Sequence, residues 1–458
     1  MFFMITNIRK FLISPYMLSL FFLIGAGSFL LGETALLVGV VLQALLVSVI
    51  LFISDDLLPI LLPILNVIVA VTTMIGRIEM FAPLYFFAIP AVVGFVYHLI
   101  HYRKQLRIGK SFYGLLAAVL AILLSGIGHL TIADYANPTG LAYLLLMTVG
   151  LVLLYFLFVL MVKPERSYDP KQYVLMALCF LGAFVALVIV QNFLHWIRVC
   201  GDELDVVAYF DFFGYRNTIA NLLIIALPTP FFFAAYVVKH PIAHIGFFLL
   251  GCFYYCALLM TAARTAMLFG TLLFVLSIVL YVAGREPWYF KVISVGVLLV
   301  ALGGLVCYLY EPIYQLLAYR LSEGITYDDE PRWRLLLRAI EDFKEYPIFG
   351  IGYISSKNAD IYADDGCITW YHMYIPQIFG SLGLVGCAAY GFQLFQRIRL
   401  IFKSPNCRTM ALALCYLGLF LYSQTDPGEF APIPYAVLTV PLFMHLDGRA
   451  RKIKNQKQ

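Results

Sequence analysis

Charge is what this sequence has least of. Only 12% of its 458 residues are Asp, Glu, Lys or Arg, whereas 62% are hydrophobic. An average soluble domain carries about twice that charged share. The shortage excludes a string of ordinary water-soluble domains, and no stretch is polar enough to form a separate soluble module. Metal-ligand spacing is lacking too. The nine cysteines form no cluster, and Cys252 and Cys256, four apart in an apolar run, read as small core residues on one helix face. The opening MFFMITNIRK is too polar and irregular for a cleaved leader, so the first apolar run reads as a retained span. The two halves show no obvious repeat.

What the chain has instead is a succession of apolar runs of about 17–23 residues, each able to cross a hydrocarbon core of about 30 Å. They fall at 15–32, 35–53, 57–75 (broken by Pro59 and Pro63), 81–99, 112–130, 140–162, 173–194, 217–238, 243–260, 265–283, 289–310, 372–396, 409–424 and 431–446. The expected fold is all-α: a polytopic transmembrane helical bundle of about fourteen spans, one membrane domain over 1–458. With the N-terminus in the cytoplasm, the strongly basic short connections all fall on that side: Arg9–Lys10, Arg103–Lys110, Lys163–Lys171, Arg397–Arg408 and the tail from Arg449. The C-terminus is then cytoplasmic as well. Most of the 26 acidic residues fall on the opposite side, which holds one large extracytoplasmic loop, 311–371. Span interiors are almost free of charge, which weighs against an ion-coupled transporter.

Within that loop, PRWRLLLRAIEDFKEY (331–346) reads as an amphipathic interfacial helix bounded by Pro331 and Pro347. Trp333, Leu336, Leu337, Ile340 and Phe343 form one face. Arg334, Arg338, Glu341, Asp342 and Glu345 fall largely on the other, with Arg338 and Asp342 spaced for an ion pair. Four residues scattered in sequence share the outer side: Arg216 and Arg264 at span ends, Arg332 at the start of this helix, and His372 opening the next span. Each has a structural reading, as a side chain anchored among lipid headgroups or hydrogen-bonded at the interface. Together they suit another chemistry. Arginines neutralise a diphosphate leaving group through bidentate hydrogen bonds, and a histidine among arginines stays neutral and able to take a proton from an attacking hydroxyl.

At these residues the chain resembles the O-antigen ligase and polymerase superfamily of bacterial membrane glycosyltransferases. The resemblance covers roughly 210–400. It rests on Arg332, Pro347, Gly350 and Gly352, then His372 followed by Gly380, Gly383 and Gly386, with Arg216–Asn217 and Thr261–Arg264 upstream. Where the family commonly has asparagine after the histidine, this chain has Met373, and about fourteen spans exceeds the family's usual number. The resemblance implies transfer of a glycan from undecaprenyl diphosphate to a glycan or lipid acceptor hydroxyl, at the outer face of the bacterial cytoplasmic membrane. It implies a metal-independent, inverting reaction without a cofactor. Arg216, Arg264 and Arg332 would bind the diphosphate, and His372 and Arg264 would be the catalytic residues, His372 as base. No nucleic-acid partner is expected.

Two other readings stay open: a flippase for lipid-linked oligosaccharide or another transporter, and a metal-dependent transferase using Asp328, Asp329 and Glu330. A disulfide between Cys200 and Cys367, both in outer loops, is a further possibility.

Overall fold

A computed structural model describes residues 11–12, 14–102, 108–132, 138–161, 168–201, 204–284, 287–322, 331–353, 371–403, 405–426, 428–430 and 432–447. Among these, every regular element is a helix. The α-helices are α1 Pro15–Leu30, α2 Glu33–Ile53, α3 Leu61–Thr73, α4 Ile89–Tyr102, α5 Lys110–Thr131, α6 Pro138–Met161, α7 Pro170–Cys200, α8 Val206–Phe212, α9 Arg216–Ala226, α10 Pro228–Tyr236, α11 Pro241–Met260, α12 Arg264–Val282, α13 Trp288–Ser322, α14 Pro331–Glu345, α15 Tyr374–Lys403, α16 Cys407–Ser423 and α17 Pro432–Asp447. Seven stretches are long and apolar enough to cross a membrane: α2, α5, α7, α9 with α10, α11, α12 and α15. The other seven expected runs also hold apolar helices among the described residues. Asp328–Glu330, Cys367 and the acidic run Asp360–Asp365 lie outside the described residues.

The chain divides into two compact units. One comprises Met1–Gln105, Arg166–Glu323 and Asn406–Leu419, the other Leu106–Glu165, Gly324–Pro405 and Phe420–Gln458. The first is organised on α7, which Pro170 and the Asp169 cap begin; the Asp169 carboxylate accepts from the Lys171 amide at 2.8 Å. Helices in an apolar medium associate through small residues and a few interhelical hydrogen bonds. Both occur in this unit. Gly182 leaves room for Tyr254, and Asn66 of α3 donates to the Phe21 carbonyl of α1 at 3.0 Å and to Gln43 of α2 at 3.1 Å. The Asp169 carboxylate also meets Arg408 at 3.4 Å. Helix α13 runs on to Ser322, past the expected end of its apolar run at 310. Gln315 donates to Glu311 one turn back, at 2.7 Å, across the turn that contains Pro312.

The second unit is built from α5, α6, α14, α15 and α17. Its centre is a break in α15, which the sequence suggested as one uninterrupted span. Gly383 takes φ 61° and ψ −155°, so the helix stops and restarts there. Backbone groups freed by such a break cannot turn to lipid for partners. The segment after α14 supplies them. The amides of Ile351 and Gly352 donate to the carbonyls of Gly380 and Ser381, both at 3.1 Å. The amides of Leu384 and Val385 donate to Pro347 and Ile348 at 2.8 and 3.1 Å. The two glycine motifs of the sequence are thus two halves of one backbone joint. Gly350 and Gly352 also have positive φ, and a Cβ on Gly383 would lie 2.5 Å from the Ile348 oxygen. Helix α5 seals the joint: a Cβ on Gly128 would come within 2.6 Å of Ile351.

Two charges lie where the sequence reading put none. Arg397, expected in a cytoplasmic connection, is buried within α15, where it pairs with Glu429 and stacks 5.0 Å from the Phe443 ring. The apolar run of α15 ends before Arg397, but the helix continues to Lys403, and the pairing with Glu429 offsets the cost of burying the charge. Asp342 is the second case. It belongs to the helix face expected to be polar and exposed, yet it is fully buried.

Two outcomes follow. Gly383→Ala loses about 1–3 kcal/mol of stability through backbone strain, read as a lower thermal midpoint in detergent, whereas Ala at Gly150, which has nothing near a Cβ, leaves it unchanged. Arg397→Leu costs about 3 kcal/mol or more by stranding a buried carboxylate, and Arg397→Leu with Glu429→Leu recovers most of that loss in the same assay.

Candidate functional site

The candidate residues fall into two groups, one in each unit. In the first unit, Asp205 caps α8 by accepting from the amides of Val207 and Ala208 at 2.9 and 3.2 Å. This short helix is fastened on both sides. The Trp196 indole of α7 donates to the Asp205 carbonyl at 2.7 Å, and the Tyr209 hydroxyl donates to the Met260 carbonyl at the end of α11 at 2.6 Å. Burial raises the Tyr209 phenol, outweighing the nearby Arg216 charge, so it stays a neutral donor. Arg216 opens α9 directly after this platform. Its guanidinium donates to the Phe210 carbonyl at 3.1 Å and lies 4.2 Å over the Phe210 ring. Asn192 of α7 holds the preceding Tyr215 by its hydroxyl at 3.0 Å.

Arg264 is the first residue of α12 and is exposed. The turn before it is tight: Ala262 is buried with φ 49°, and the Thr261 hydroxyl bonds back to the Leu258 carbonyl at 2.7 Å. Helices α9 and α12 pack side by side, with Ile224 opposite Gly270. The Tyr209–Met260 bond joins the start of one to the start of the other, so Arg216 and Arg264 lie at the same end of the unit.

In the second unit the structure brings Arg332 and His372 together and adds a residue that the sequence reading missed. His372 sits in the turn before α15 with φ 53°, a left-handed conformation uncommon for residues other than glycine. Its neighbours impose it. The Tyr371 amide donates to Gln377 at 2.7 Å, Gln377 donates to Ser381 at 2.9 Å, and the Tyr371 hydroxyl donates to the buried Asp342 carboxylate at 2.5 Å. Arg338 holds the other carboxylate oxygen at 3.1 Å, which realises the expected ion pair with Asp342 turned inward. Leu335 and Ala339 of α14 pack on Tyr371 and Ile351, so the helix carrying Arg332 and the turn carrying His372 share one core.

Partial burial, and secondly the Arg332 charge, lower the His372 pKa from its ordinary 6.5, which favours neutral imidazole. Asp426 is the added residue. It lies in the turn between α16 and α17, accepts from the Gly428 amide at 3.3 Å and feels the Arg332 charge. Burial nevertheless raises its carboxyl above 3.8. That turn is tied to the glycine joint by the Tyr353 hydroxyl, which donates to the Phe430 carbonyl at 3.2 Å. His129 of α5 holds the Tyr353 carbonyl at 2.6 Å. An acid within SQTDPGEF, between two apolar runs, was the available signal for Asp426. The second group therefore combines a cation, a poised neutral base and a carboxyl near each other, a set able to bind an anion and move a proton.

Residues 245–391 match a protein-family model described as O-antigen ligase. The matched range contains Arg264, Arg332, His372 and both halves of the glycine joint, while Arg216 and Asp426 lie outside it. Comparison with the curated proteins finds no match. Over residues 245–391, then, this multi-helix membrane protein is similar to the O-antigen ligase family.

Proposed function

We propose that the protein is a metal-independent, inverting glycosyltransferase that moves a glycan from undecaprenyl diphosphate to an acceptor hydroxyl on the outer face of the bacterial cytoplasmic membrane. The observation that carries this reading is His372 held in a strained turn beside Arg332, inside the matched segment. The acceptor hydroxyl gives its proton to neutral His372 as its oxygen attacks the anomeric carbon, and the diphosphate leaves. Arg332, Arg264 and Arg216 are assigned to the diphosphate, whose negative charge grows as the bond breaks. The platform under Arg216 and the tight turn before Arg264 support those roles by fixing where each side chain starts.

The buried Arg397–Glu429 pair bears on the alternative. Charge-poor span interiors had spoken against a transporter, and Arg397, six residues from the C-terminal end of α15, leaves that reading in place. The pair is internally neutralised and packed on Phe443, which suits a fixed structural role better than a moving ion. The family match favours transfer. Purified protein in vesicles, given lipid-linked glycan and acceptor, distinguishes the two: transfer with retained activity in a chelator supports the proposal, and translocation without transfer sinks it.

His372→Ala lowers transfer at least about 100-fold, with normal insertion and thermal midpoint; Arg264→Ala also impairs transfer while leaving the protein inserted. Wild-type activity in both variants would refute the assignment. The pH dependence follows from the imidazole. The base works when unprotonated, so kcat/KM is full above the His372 pKa and falls as pH drops through it. Burial and Arg332 place that limb below 6.5. Arg332→Gln removes the second cause and moves the limb to higher pH, apart from any loss of donor binding.

A further inference from the structure

Helices α5 and α15 pack antiparallel in the second unit. They approach closely where Gly114 faces Gln393; a Cβ on Gly114 would lie 3.1 Å from the Gln393 Cα. Beside that contact they leave an open groove of roughly 480 Å³. Its walls are two regular stripes. Lys110, Tyr113, Ala117 and Leu120 follow one face of α5 at spacings of three and four, and Phe392, Gln396 and Arg399 follow one face of α15. Because the helices run in opposite directions, Lys110 and Arg399 share one end and Leu120 and Phe392 the other. Tyr113, Leu120 and Phe392 are 55%, 48% and 40% exposed, so nothing among the described residues covers the groove.

The shape and the charge distribution match one kind of occupant. Ten residues of α5 separate Lys110 from Leu120, about 15 Å, which is half of a hydrocarbon core of about 30 Å and therefore one leaflet. Two cations from different helices at the mouth suit a phosphate, and the apolar length suits an acyl chain. We infer that this groove binds an anionic glycerophospholipid. The charge pattern of the sequence puts Lys110 and Arg399 in cytoplasmic segments, so the lipid belongs to the inner leaflet. The same two helices hold the glycine joint at their other ends, through Gly128 and Gly380–Val385. A lipid bridging them braces the frame that carries His372.

The test uses the full-length protein in neutral detergent. Phosphatidylglycerol, phosphatidylcholine or inorganic phosphate is titrated while the thermal midpoint is followed, and native mass spectrometry counts retained lipid. Phosphatidylglycerol alone raises the wild-type midpoint and is retained. Lys110→Ala with Arg399→Ala weakens the half-saturating lipid concentration by about tenfold or more. Leu120→Trp, which fills the apolar end and keeps both cations, weakens it as well and guards against misfolding of the double variant. Equal stabilisation by phosphatidylcholine overturns the inference in favour of ordinary annular lipid. Equal stabilisation by inorganic phosphate overturns it in favour of a simple anion site. An unchanged phosphatidylglycerol response in both variants overturns it outright.

Discussion

A helix interrupted in an apolar environment must find new partners for the backbone groups it releases, and the second unit is arranged around that requirement. The interruption is at Gly383, and the partners are the carbonyls and amides of Pro347–Gly352. Because the bonds run backbone to backbone, they demand close approach, hence glycine at 350, 352 and 383 and at Gly128 behind them. The placement of His372 follows. It lies at the N-terminal end of the short arm of the broken helix, while Arg332 opens the helix that leads into the filling segment. One backbone constraint thus brings together two residues forty positions apart.

Electrostatics then set what those residues can do. The Arg332 charge acts in opposite senses on its two titratable neighbours. It favours neutral imidazole at His372 and the ionised carboxylate at Asp426, while burial raises the Asp426 carboxyl. At His372 burial and the Arg332 charge act in the same sense, whereas at Asp426 they oppose each other.

The helices were legible in the sequence because apolar runs of membrane-crossing length leave few alternatives. Each of the fourteen expected runs contains an apolar helix among the described residues. The ends were less legible. Helix α13 and helix α15 run beyond their apolar runs, since helical hydrogen bonding continues until a backbone or capping feature stops it and hydropathy does not report on that. Arg332 and His372 were legible as residue types on one side and proved to be neighbours. Asp426 was not, because a lone acid between spans looks like any solvated turn. Asp342 was misassigned for a different reason. Its helix carries apolar side chains on more than one face, and a tyrosine thirty residues away decided which face turned inward.

That inward turn makes α14 inside-out by the standards of a soluble helix. Its carboxylate is in the core, while Trp333, Leu337 and the following Ile348 stand 42%, 44% and 57% exposed. Cut from the chain, this segment would present aromatic and aliphatic groups to water and lose the tyrosine hydroxyl that donates to its buried acid, which Arg338 pairs. The segment therefore holds its shape only together with the rest of its unit.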